Sequence, residues 1–381
     1  MKVSMQYCKT YNYEEVRTAL QTTVTALGGW EPYIQPGQKV LLKPNLLAKR
    51  KPEEATTTNP IFVQALAGLL IEYGAQVIIG DSPGGPFSAR MMRGIYKATG
   101  MEAAAAETGA VLNQNFEGYE AENPKGLIMK RLTLTSMLKD ADAVICVAKL
   151  KTHGMMTYTG AVKNMMGLVP GVAKAEYHLN IPDYDAFSDA LIDICIAANP
   201  VLSFIDGIIG MEGNGPAAGT PVETGAVLAS PSPYHLDMAA CKLIGLAPND
   251  VPMLRRMVAR GMVKEDLSDI EFTGEPFEKF TNCPYEPAKT KGVMNMTNPK
   301  IPEFVRRFVA RYVQTKPVFD LAVCNGCAVC QESCPAKIID MVDGKATLDY
   351  KDCIRCYCCQ ELCPKKAITI HRPKLSRLLR L

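Results

Sequence analysis

Several features that would assign a function at once are missing from these 381 residues. No stretch approaches eighteen uninterrupted apolar residues, so nothing in the sequence is built to span a bilayer. The chain begins directly on Met1-Lys-Val-Ser-Met-Gln-Tyr7, a strand-like run and not a signal peptide. Forty-two Lys and Arg against 39 Asp and Glu leave a formal charge of +3, too little to imply nucleic acid or a membrane as a partner. No Gly-x-Gly-x-x-Gly follows a strand, no phosphate loop ends in Gly-Lys-Ser/Thr, and no Gly-x-Ser-x-Gly elbow is present. The common dinucleotide, triphosphate and serine-hydrolase sites are therefore excluded, and a soluble, cytoplasmic chain is expected.

Cysteine, by contrast, is plentiful, with 14 residues. In a reducing compartment that number fits metal binding better than disulfides. Eight of them form Cys324-x2-Cys327-x2-Cys330-x3-Cys334-Pro335 and, 29 residues on, Cys353-x2-Cys356-x2-Cys359-x3-Cys363-Pro364. This is the bacterial-ferredoxin spacing, in which the fourth cysteine of each run serves the other cluster. Cys324, Cys327, Cys330 and Cys363 are thus assigned to one [4Fe–4S] cluster, and Cys353, Cys356, Cys359 and Cys334 to a second. Zinc would ask for wider spacing between the halves. Each run ends in Cys-Pro, with Lys and then Ile close behind. The module is therefore an internal duplication, one loop–helix–strand unit per cluster. Of the remaining six, Cys146 and Cys195 lie in apolar segments and read as buried hydrophobes. Cys358, inside the second loop, could be an alternative ligand by spacing alone.

Residues 1–280 alternate strand and helix patterns. They imply an α/β domain with an open, mostly parallel sheet covered by helices on both faces. Residues 281–316 form a proline-rich linker with one amphipathic helix, Glu303–Val313. The small α+β two-cluster ferredoxin-like domain follows over 317–372, and a basic tail over 373–381. Asp183, Asp185, Asp189 and Asp193 read as a helix start and its solvated face.

In an open parallel sheet, ligands gather beyond the carboxyl ends of the strands. The candidate ligand-reading residues are Lys43 and Asn45 after the second strand and Asp81 and Ser82 after the third. Lys149, Lys151 and His153 follow the fourth, and Asp206 and Glu212 the fifth, with Lys163 and Asn164 on the next helix. Lysines desolvated in a cleft are costly without an anion to match, so an anionic substrate is expected, unless Lys43 and Lys163 merely pair with Asp81 and Asp206. His153 and, less directly, His178 offer an imidazole as general acid.

These residues fall in motifs: Lys-Pro-Asn at 43–45, Gly-Asp-Ser-Pro at 80–83, Lys-Leu-Lys-Thr-His at 149–153, Thr-Gly-Ala-Val-Lys-Asn at 159–164 and Gly-Leu-Val-Pro-Gly at 167–171. With Cys-Ile-Arg-Cys-Tyr-Cys-Cys at 353–359, they resemble the family called domain of unknown function 362, whose members are often labelled iron–sulfur centre proteins. A remoter similarity of fold is to the nickel-pincer lactate racemases, with no motif to support it. The expectation is an iron–sulfur oxidoreductase. Its clusters relay single electrons from an external donor such as a ferredoxin to an anionic small molecule, with room for an additional organic cofactor. The alternatives are an electron-carrier or maturation protein that docks a partner, and a non-redox enzyme with an organometallic cofactor.

Overall fold

The computed structural model describes residues 1–171, 173–181, 183–288, 315–371 and 373. The expected helix Glu303–Val313 and the basic tail from 374 lie outside them. In chain order the strands of the larger body are β1 (Lys2–Tyr7), β2 (Lys39–Pro44), β3 (Gln76–Ile79), β4 (Val111–Leu112), β5 (Gly118–Glu122), β6 (Arg131–Thr135), β7 (Ala143–His153), β8 (Thr157–Thr159), β9 (Leu202–Glu212), β10 (Thr220–Ser230) and β11 (Glu271–Gly274). Its helices are α1 (Tyr13–Ala26), α2 (Pro60–Tyr73), α3 (Ala89–Ala98), α4 (Met101–Thr108), α5 (Ala161–Asn164), α6 (Ala173–Asn180), α7 (Tyr184–Ala198), α8 (Pro233–Leu243) and α9 (Pro252–Ala259).

The main sheet has nine strands in the order β11-β1-β10-β9-β7-β2-β3-β4, with β8 folded back on β7. Pairing is parallel along β9-β7-β2-β3-β4 and between β1 and β11, and antiparallel where β10 joins β9 and β1. The fold is thus α/β, with an open, mostly parallel sheet and one apolar core on each face. Parallel neighbours require a crossover, and α2 supplies one between β2 and β3. The Asn59 side chain accepts from Ile61 N at its start, Pro60 occupies the first turn, and Gly74 at φ 105° ends it in the left-handed conformation. Among the described residues no helix is long and apolar enough to cross a membrane.

The structure departs from the sequence pattern where charge is buried. β7 and β9 run past the apolar stretches that begin them, through Lys149, Lys151 and Asp206, to His153 and Glu212. All eleven residues of β7 are buried, lysines included. Both strands run past their charged residues because those residues find partners, described below. Likewise the acids of α7 do not form a solvated face. Asp183 caps the helix as expected, accepting from Ala186 N at 2.8 Å. Asp189 and Asp193, however, are 5% and 0% exposed. Arg256 of α9 and Arg260 at its C-terminal cap reach them at 2.8 and 2.9 Å, and the second oxygen of Asp193 accepts from Ile128 N and Met129 N. The pairs bolt α7 to α9 and to the β5–β6 hairpin.

The smaller unit is β12 (Lys316–Phe319), α10 (Val329–Glu332), β13 (Ile339–Val342), β14 (Lys345–Leu348), α11 (Cys358–Leu362) and β15 (Ile368–His371), with β12 paired to β15 and β13 to β14. Each cysteine run contains a short helix and is followed by a strand, the duplicated loop–helix–strand unit expected. The backbone repeats as well: positive φ recurs at Gly326 and Arg355, Ala328 and Tyr357, and Lys337 and Lys366.

Removing a partner from a buried ion pair costs about 3–5 kcal/mol. Arg260→Ala is therefore expected to lower unfolding stability by about 3 kcal/mol in a urea titration. Arg17→Ala, which breaks the solvent-exposed pair with Glu72, should change it by less than about 1 kcal/mol.

Candidate functional site

Lysines converge at the carboxyl edge of the sheet, and each solves its desolvation differently. Lys43, 1% exposed, pairs with Asp81 at 2.7 Å and donates to Asn164 Oδ1 and to the Pro44 carbonyl. Lys149 pairs with Asp206 at 2.8 Å and donates to Tyr11 OH, which in turn donates to Asp206. Burial lowers the Lys149 pKa, against the pull of Asp206. Among the described residues Lys151 has no carboxylate partner within ion-pair distance: it donates to Asn45 Oδ1 at 2.6 Å and to the Thr56 carbonyl at 2.7 Å. Burial, with Lys163 and Lys149 nearby, pushes it down to about 7.

The short helix α5 brings Lys163 and Asn164 to the same edge, and Asp237 of α8 holds it there. The buried Asp237 carboxylate accepts from Ala161 N at 2.7 Å, Val162 N at 3.0 Å and Tyr158 OH at 3.0 Å. Burial raises its pKa to about 7, although all three bonds favour the ionised form. Gly160 is required at this point, since a side chain there would meet Tyr158 OH and Asp237 Oδ1. Asn164 then bridges β2 and β7, donating to the Lys43 carbonyl and to Cys146 Sγ.

In front of these groups lies a cavity of about 150 Å³. Of the residues expected at the site, Lys43, Asn45, Asp81, Ser82, Lys163, Asn164 and His178 line it. Lys149, Lys151, His153, Asp206 and Glu212 do not. Lys151 stands behind Asn45. Asp206 is occupied by Lys149 and Tyr11, and Glu212 accepts from Glu286 N, away from the cavity. Thus Asp206 pairs with Lys149 and not with Lys163, which makes no hydrogen bond or ion pair among the described residues. Neither imidazole is in the cationic, imidazolium form at neutral pH. His153 Nδ1 accepts from Met155 N and Met156 N, and burial followed by the fields of Lys163 and Lys151 drives its pKa far down. His178, stacked on Phe187 at 4.6 Å, is pushed by burial and by Lys163 to about 3.

The cavity also contains groups the sequence did not single out. Lys174 of α6 reaches in and donates to the Ser82 carbonyl and, at 3.3 Å, to Ser82 Oγ. Burial, opposed by Asp81 and reinforced by Lys43 and Lys163, lowers it to about 7. The opposite wall comes from the smaller unit: Glu332, Ser333, Cys358, Glu361 and Leu362. Glu361 lies 3.3 Å from His153 Nε2. The unit is fastened by Arg50, which is buried and donates to the carbonyls of Cys363 at 2.7 Å and Pro364 at 3.5 Å, and by a Lys366–Glu54 pair at 2.8 Å.

The eight motif cysteines ring two separate cavities. Cys324, Cys327, Cys330 and Cys363 line one, together with Phe319, Met341 and Ile368. Cys334, Cys353, Cys356 and Cys359 line the other, with Ile339 and Leu348. Such sulfur-lined, apolar chambers fit the donor set and low dielectric of an iron–sulfur centre. Cys358 faces the larger cavity instead. It takes the place in its repeat that Val329 takes in the other.

A mostly parallel α/β body joined to a cysteine-ringed module defines an iron–sulfur protein of the ferredoxin-bearing class. Residues 316–364 match the 4Fe–4S dicluster domain, so the chain carries a ferredoxin-type electron-transfer module that binds iron–sulfur. Residues 40–242 match the domain of unknown function 362, and the protein belongs to that family. It is 34% identical over 261 residues to a thylakoid-associated protein of Synechocystis, covering 68% of this chain and 79% of the relative. Among solved structures, the lactate racemase apoprotein from Thermoanaerobacterium thermosaccharolyticum aligns with a TM-score of 0.40 at 13% identity. That alignment covers 64% of this chain and 57% of the racemase.

Loss of the Asp237 carboxylate leaves two amides and a hydroxyl without an acceptor, each costing about 1–3 kcal/mol. Asp237→Ala is expected to destabilise the protein by several kcal/mol in chemical denaturation, whereas Asp237→Asn, which keeps one acceptor oxygen, should cost about half as much.

Proposed function

We propose that the protein is an iron–sulfur oxidoreductase acting on a small anion held between the module and the α/β body. Two [4Fe–4S] clusters, one on Cys324, Cys327, Cys330 and Cys363 and the other on Cys353, Cys356, Cys359 and Cys334, would supply electrons singly from an external low-potential donor such as a ferredoxin. The observation that carries this reading is the pair of facing walls. One is built from residues adjoining cluster cysteines (Ser333, Cys358, Leu362), the other from Lys43, Lys163 and Lys174. A protein that only passed charge to a docked partner would have no need of such a chamber.

The module also has a direction. Cys327 of the first ring is exposed, which makes that ring the natural side for a donor. Two residues next to the second ring, Ser333 and Cys358, face the cavity, against Leu362 beside Cys363 of the first. Lys163 and Lys174 hold the anion and offset the negative charge that builds on it during reduction. The proton moves from the Lys174 ammonium, since neither imidazole is cationic and the Lys174 pKa is lowered to about 7. A reducing, cytoplasmic setting belongs to this reading.

Anaerobically purified protein is expected to contain about eight iron and eight sulfide per chain. Cys358→Ser should keep that content and Cys356→Ser should lose about half of it; four iron in the wild type would remove the two-cluster assignment. Lys163→Met should slow anion-dependent reoxidation of the reduced protein by about 100-fold, the scale of one lost electrostatic contact at a reacting centre. An unchanged rate would remove the electrostatic role.

The pH dependence has a definite sign. A lysine whose pKa is depressed to about 7 loses its charge as pH rises through that value, so anion affinity must fall in the same interval. Titrations should show binding about tenfold weaker at about pH 8.5 than at about pH 6.

A further inference from the structure

We infer that the cavity takes a monocarboxylate no larger than about one six-membered ring, its carboxylate on Lys163 and Lys174 and its apolar body against Leu47, Met166 and Leu362. This rests on the oxidoreductase reading and narrows its substrate.

Three observations converge on that class. The first is charge. Lys43 is matched by Asp81. Lys163 has no partner among the described residues, and Lys174 donates only to uncharged oxygens of Ser82 and Pro83. Against these two ammonium groups stand one enclosed carboxylate, Glu361, and one exposed to water at the rim, Glu332. The enclosed part of the site therefore has a surplus of one positive charge, which suits a monoanion better than a dianion.

The second is size. About 150 Å³ is the space that holds a single benzene ring, whereas cofactor-sized ligands need roughly 300–1,000 Å³. Nucleotides and flavins are too large.

The third is the polarity of the glycine turn at 81–86. A phosphate site would present backbone amides there. Instead, the carbonyls of Ser82 and Pro83 accept from Lys174, and those of Pro83 and Gly85 press on Gly171, where a side chain could not fit. The acceptors of the turn are occupied by Lys174, so an anion arriving there meets an ammonium group. Leu47, Pro83, Met166 and Leu362 add apolar side chain to a lining that also holds Asn45, Thr159, Asn164 and Ser333, and those four apolar residues are the complement to a ligand's hydrophobic body.

The test is calorimetric titration of the oxidised, anaerobically purified full chain with benzoate, its neutral isostere benzamide, inorganic phosphate and adenosine monophosphate. Benzoate is expected to bind about tenfold or more tightly than benzamide, with no heat from phosphate or the nucleotide. Lys163→Met and Lys174→Met, each checked for unchanged iron content, should weaken benzoate about tenfold or more. Equal affinity for benzamide, binding of the nucleotide, or no binding of benzoate by the wild type would each overturn the assignment. Binding needs no electron donor, so the two readings can fail separately. Benzoate binding without reoxidation of the reduced protein by any carboxylate leaves the site and removes the oxidoreductase. Reoxidation by a compound lacking a carboxylate, without benzoate binding, does the reverse.

Discussion

An ammonium group taken out of water needs a compensating anion or must give up its proton. That constraint, applied five times within one sheet edge, shapes this molecule. Lys43 and Lys149 are answered by Asp81 and Asp206. Lys151 and Lys174 are answered by neutral oxygens and sit near the loss of their charge. Lys163 is not answered at all within the described residues. The structure around them follows from these settlements: Tyr11 and Asn59 turn toward Asp206, Asn45 shields Lys151, and Asn164 ties Lys43 to β7. The unanswered remainder opens on the cavity.

The smaller unit completes this edge and is not an appendage to it. Without Glu361 and Leu362, Lys163 would face solvent and lose the burial that lowers its pKa. Arg50 donates to the carbonyl of Cys363, itself one of the ring cysteines, so the fastening acts directly on a cluster loop. Cavity and cysteine loops are thereby held in one fixed relation.

How much of this could be read from the residues alone depended on range. The cysteine runs were legible because their ligand geometry is local, within ten residues. The alternation of strands and helices was legible for the same reason, as were Lys43, Asp81 and Lys163 at element ends. What escaped depends on distant partners. Asp189 and Asp193 look solvated until α9 supplies their arginines, and Asp237 looks like one more helix residue until α5 rests on it. Lys174 sits in a polar helix with no motif around it, and Glu361 belongs to the other unit altogether. His153 had the right neighbours, but two backbone amides on Nδ1 cannot be foreseen from sequence.

The repeated backbone of the cluster loops has a further implication. Where the outward copy has Gly326, Ala328 and Val329, the copy turned toward the body has Arg355, Tyr357 and Cys358. The left-handed conformations are retained even though glycine is not. Tyr357 spends its hydroxyl on Thr315, and Cys358 faces the chamber. The duplicated unit is thus two-faced: one half keeps glycine and small side chains at its turns, while the other holds the same turns without glycine and sets Tyr357 into the apolar core of the larger body.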